Sequence, residues 1–76
     1  MRVSETTRHV LQPVMEGRQT VSDLLVMQSA AGWYVGQVCS DDDIGILMPY
    51  SRESHYMTEE QAIEYWRFLN DEGLPF

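Results

Sequence analysis

The sequence predicts an α+β fold: a three- to four-stranded antiparallel sheet with one C-terminal helix packed on one face. Three features lead there. Two short runs rich in apolar, aromatic and β-branched residues flank a glycine-containing connection at residues 29–32, which reads as a β-hairpin. A third apolar run, Ile46-Leu47-Met48, follows an Asp-rich turn closed by Gly45. A capped amphipathic stretch comes next, and its apolar stripe needs a sheet to cover. The 76 residues form one domain, 1–76, small enough to bury only about 60% of the surface exposed by the unfolded chain.

Residues 1–20 read as extended or partly ordered. Val3, Val10, Leu11, Val14 and Met15 recur at helical spacing, and Ser4 is a fair helix cap. Against a helix stand the β-branched Thr6, Thr7 and Val10, and Pro13, which interrupts a helix running through it. An edge strand over about residues 8–15 is therefore expected, since sheet edges tolerate proline.

Residues 23–50 form a β-meander. In its second strand, period-2 alternation places Trp33, Val35, Gln37 and Cys39 on one face, with Tyr34, Gly36 and Val38 on the other. Gly36 leaves a notch there, read as a bulge or as the seat of a neighbouring ring. The helix spans 58–72, its cap included. Thr58 and Gln61 make a capping box, and Glu59 and Glu60 favour the positive end of the helix dipole. Ala62, Trp66 and Leu69 follow at i, i+4 and i+7, with Tyr65 and Phe68 widening the stripe and Gly73 as the stop.

Charge narrows the function. Twelve acids face five basic residues, all of them Arg, for a formal charge of −7. A chain without lysine excludes a phosphate-binding loop, a Schiff-base enzyme and a lysine-rich nucleic-acid arm. Residues 1–22 carry Arg2, Arg8 and Arg18 against Glu5 and Glu16, a net of +1; residues 23–76 carry two Arg against ten acids, a net of −8. Such a surface repels phosphate backbones, so the expected partner is a protein with a basic surface and not a nucleic acid. The lone Cys39 makes no internal disulfide, the first residues are polar, and no apolar run approaches the roughly 20 residues of a membrane span. A cytoplasmic location without membrane partners is the expectation.

No motif specifies a reaction. Ser51, Glu53, Ser54 and His55 supply the residue types of a hydrolytic site, but neighbours in sequence seldom converge as a nucleophile, base and orienting acid must. Asp41, Asp42 and Asp43 lack the alternating spacing of a calcium loop, and His9, His55 and Cys39 lack paired-ligand spacing. They read as a solvated turn and as packing residues, with no cofactor expected. Trp33, Tyr34, Tyr50 and Tyr56 point elsewhere. So small a core cannot enclose eight aromatic and five Met residues, and exposed rings beside Arg are typical of interface centres.

A chain under 80 residues, strongly acidic and free of catalytic motifs resembles the small accessory proteins of phages and mobile elements, including anti-CRISPR inhibitors. The resemblance rests on size and charge and carries over no functional residue. It implies a protein that occludes a larger host machine. The first expectation is thus a non-enzymatic inhibitor or adaptor. Trp33, Tyr34, Tyr50 or Tyr56 would anchor it, with Arg52 and Glu53 alongside, and the Asp41, Asp42 and Asp43 loop would steer it. A self-associating protein that pairs through a sheet edge is the alternative, and a small hydrolase built on His55 with Ser51 or Ser54 is the third reading.

Overall fold

A computed structural model describes residues 2–41 and 45–72. The chain runs through β1 (Arg2–Val3), a 3-10 helix (Glu5–Leu11) leading into α1 (Gln12–Met15), β2 (Leu25–Ser29), β3 (Gly32–Asp41), β4 (Ile46–Arg52) and α2 (Glu59–Glu72). The four strands form one antiparallel sheet in the order β1-β2-β3-β4. The expected α+β architecture is present, with one helical layer more than expected.

The edge strand expected over residues 8–15 is replaced by that extra layer. Pro13 falls in the first turn of α1, where its missing N–H has no intrahelical partner to lose. The helical spacing therefore prevails: Leu11 and Val14, three apart, are both buried, while Met15 turns outward. The N-terminal edge strand is β1 instead, only two residues long. The two layers cover opposite faces of the sheet. The N-terminal layer supplies Leu11, with Val10 beside it, to a cluster with Leu25, Met27, Tyr34 and Val38. The opposite face carries Val26 and Val35, on which Ala62 of α2 rests with no exposed surface. Trp66, Leu69 and Trp33 surround that contact, and the Trp66 Nε1–H donates to the Leu24 carbonyl at 2.7 Å. The expected alternation holds, since Val35 and Trp33 face α2 while Tyr34 and Val38 face the other way.

Side-chain hydroxyls complete the sheet where strand pairing stops. Thr7 Oγ1 accepts the Val26 N–H at 3.0 Å just past β1. Ser22 Oγ accepts the Val38 N–H at 3.0 Å beyond the start of β2, and Ser54 Oγ accepts the Val35 N–H at 2.9 Å beyond the end of β4. Buried N–H groups left without a partner are costly, so these three hydroxyls are structural. Ser4 adds a clasp: its N–H bonds the Val26 carbonyl at 2.9 Å and its hydroxyl donates to Glu59 at 2.9 Å, tying the N-terminus to the start of α2.

Gly45 adopts φ +68° as it closes the β3–β4 turn. Gly36 is needed for a different reason. A Cβ placed there would lie 2.1 Å from the Ser51 carbonyl oxygen of β4, so the notch seats a neighbouring backbone and not a ring. The capping box is formed as expected, with reciprocal 3.2 Å bonds between Thr58 and Gln61. Phe68 departs from expectation: it is 55% exposed. At about 100° per residue it sits roughly 200° around the helix from Trp66, off the buried stripe. The expected stop at Gly73 lies outside the described residues.

Candidate functional site

The β3–β4 pairing slips by one residue in its middle. Gln37 pairs with Ser51 and Val38 with Pro49, which leaves Tyr50 as the extra residue of a β-bulge. Proline at this edge position removes a donor that a central strand would need. The bulge turns Tyr50 outward, and the residue is 60% exposed. Two residues on, Arg52 closes β4 opposite Gly36.

The chain then doubles back and stays fixed to β3. The Glu53 N–H bonds the Val35 carbonyl at 2.7 Å, and Met57 exchanges two hydrogen bonds with Trp33, at 2.9 and 2.8 Å. This return places Tyr56 beside Tyr34, their rings meeting edge-to-face at 5.6 Å and 85°. The Arg52 guanidinium lies 4.8 Å above the Tyr56 ring, a cation–π contact. Tyr34, Tyr50, Arg52 and Tyr56, with Pro49 and Ser51, line one shallow concavity of ≈ 280 Å³. Four of the residues expected at a partner surface therefore converge, and they do so on the bulged edge of the sheet.

The others go elsewhere. Trp33 lies on the face under α2, its ring 5.8 Å from the Arg2 guanidinium. Asp41 pairs with Ile46 at the far end of β3, five residues from Gly36 and so roughly 16 Å along the strand from Arg52. Asp42 and Asp43 lie outside the described residues. Glu53 lines a separate groove of ≈ 620 Å³ between the returning segment and α2. Pro49, which shapes the bulge, and the exposed Phe68 are additions that composition alone did not single out. Helical geometry about Trp66 was the available signal for Phe68.

The serines near His55 have other duties. Ser51 Oγ donates to Gln37 Oε1 at 2.9 Å, while Ser54 Oγ takes the Val35 N–H and donates to the His55 main-chain carbonyl at 2.9 Å. A hydroxyl so committed is not poised against an imidazole. Among the described residues, no three His, Cys, Asp or Glu side chains gather as metal ligands, and no helix is long and apolar enough to cross a membrane.

Tyr34 gives the cluster a pH signature. Burial raises its phenol pKa above the usual value near 10, Tyr56 adds to the rise, and Arg52 opposes it. Above pH ~10 the unfolded chain releases this proton before the folded chain does, so stability falls as pH climbs towards the raised folded value. Tyr34→Phe should flatten this alkaline loss. At neutral pH it forfeits only the weak 3.8 Å contact of the hydroxyl with Met27 sulfur. Urea midpoints measured from pH 8 to 11 check this, and parallel curves for the two proteins would refute it.

No protein-family model, curated protein or solved structure matches the chain.

Proposed function

We propose that this chain is a non-enzymatic binding module, an inhibitor or adaptor of the anti-CRISPR kind, that covers a basic surface of a larger, nucleic-acid-handling protein in the cytoplasm. One observation carries the reading: Tyr50, Arg52 and Tyr56 converge on an exposed patch of an otherwise strongly acidic chain. Tyr and Arg are the residue types that most often dominate binding energy. The formal charge of −7 supplies long-range attraction to a cationic partner and raises the association rate at low salt.

The sheet edges argue against the self-association alternative. An edge that recruits another copy is long and flat, whereas β1 has two residues and β4 is interrupted by Pro49 and the bulge at Tyr50. Two copies at −7 also repel one another.

Immobilised chain should retain its partner from a source lysate at about 0.1 M salt and release it near 1 M, as the screening length falls from about 10 to 3 Å. Tyr50→Ala should weaken capture about tenfold or more, while Glu5→Gln, exposed on the N-terminal layer, leaves it unchanged. Retention indifferent both to salt and to Tyr50→Ala and Arg52→Ala would overturn the reading.

A further inference from the structure

We infer that the docking surface continues from Arg52 across the groove beside Glu53 onto α2, and that it receives a basic amphipathic helix of the partner. The inference rests on the binding-module reading and adds the form of the partner's contact.

Arg52 lines both concavities, so the Tyr50 patch and the groove of ≈ 620 Å³ meet at that residue. Across the groove, Tyr65 and Phe68 stack with centroids 6.4 Å apart and planes at 15°. Phe68 is 55% exposed, so the stack presents apolar area to solvent. Gln61, Glu64, Tyr65 and Phe68 follow the i, i+3, i+4, i+7 spacing of one helix face, with Glu64 and Gln61 exposed. This face matches a partner helix, which lays apolar anchors along a stripe. Strand addition is blunted at β4 by Pro49 and the bulge.

Charge selects the partner. The exposed charges of α2 are Glu60, Glu64 and Asp71 against Arg67, a net of −2, whereas residues 1–22 of the opposite layer total +1. The molecule is thus electrically two-sided, and a cationic helix is drawn to the α2 side. Arg52 keeps its positive charge, which Glu53 offsets within the groove, so the attraction comes from the exposed carboxylates of α2. Glu53 in the groove offers a carboxylate to an incoming Arg or Lys, beside the Tyr65 ring. A second copy would bring an equally negative helix.

The test uses the full chain and a synthetic amphipathic helix of leucine and lysine, with a scrambled peptide of the same composition as control. Backbone amide NMR shifts should map the ordered peptide to residues 53–57 and α2, binding at least about tenfold tighter than the scrambled one. Phe68→Ser and Glu64→Lys, both at exposed positions, should each weaken it about tenfold, and Glu5→Gln should not. Equal affinity for the two peptides, or no loss with either α2 variant, overturns the inference. A dimer abolished by Phe68→Ser also overturns it, by assigning the face to a second copy. If Tyr50→Ala abolishes partner capture while both α2 variants retain it, the inference fails and the binding-module reading stands. If the peptide behaves as expected but capture ignores Tyr50→Ala, the inference holds and the Tyr50 patch is not the anchor.

Discussion

Gly36→Ala should strongly destabilise the protein. A methyl group at this position would lie 2.1 Å from the Ser51 carbonyl oxygen and 3.1 Å from Met27 Cε. The methionine end can move aside, but the carbonyl belongs to the main chain of β4. Relief requires β4 to back away from β3, and that pairing holds the bulge and the return of residues 53–57. Overpacking a core usually costs about 1–3 kcal/mol, and a collision with backbone exceeds that range. A domain of this length has about 4–11 kcal/mol in total. The expected result is loss of the cooperative thermal transition, or a midpoint lower by more than about 10 °C. A midpoint within about 2 °C of the parent would show that β4 does not approach β3 this closely.

The double variant Thr7→Val, Ser22→Ala should have the next largest effect. Each hydroxyl accepts a buried strand N–H, from Val26 and Val38 respectively, and each residue is itself at most 1% exposed. Removing the acceptor strands a donor that water cannot reach, at a cost of about 1–3 kcal/mol per site. The two sites serve different strands and share no partner, so their losses should add to about 2–6 kcal/mol. Thr6→Val, on the exposed side of the same turn, should shift stability by less than about 0.5 kcal/mol. Urea denaturation of the three proteins measures this directly. A double variant as stable as Thr6→Val would mean that Val26 and Val38 find other acceptors.

These sites show which parts of the fold a sequence exposes to view. The cap, stripe and first-turn acids of α2 are local, so its start could be read from Thr58 and Gln61. The meander is equally local, because Gly32 and Gly45 punctuate strands whose alternation survives in the structure. The edge strand expected over residues 8–15 gives way to helix because the meaning of Pro13 depends on where the helix begins: in its interior proline breaks it, in its first turn it fits. Thr7, Ser22 and Ser54 were opaque for another reason. Their partners lie 19, 16 and 19 residues away, and only the assembled sheet creates the vacancy each fills.

The candidate site was half visible. Alternation alone separates Trp33 from Tyr34, and the structure keeps them on opposite faces. Tyr50 and Arg52 share a strand, but their union with Tyr34 requires the return of residues 53–57 that delivers Tyr56. No local pattern encodes that return. It depends on Met57 finding Trp33 across a 24-residue interval.

A partner should touch this molecule at the bulged edge of the sheet and the adjoining side of α2. Hydrogen exchange of the chain alone and bound to the protein it captures measures that directly. Protection should appear at Tyr50, Arg52 and residues 53–57 and extend onto the exposed side of α2, with the N-terminal layer exchanging as in the free chain. Protection confined to the 3-10 helix and α1, with residues 50–57 unchanged, would contradict it.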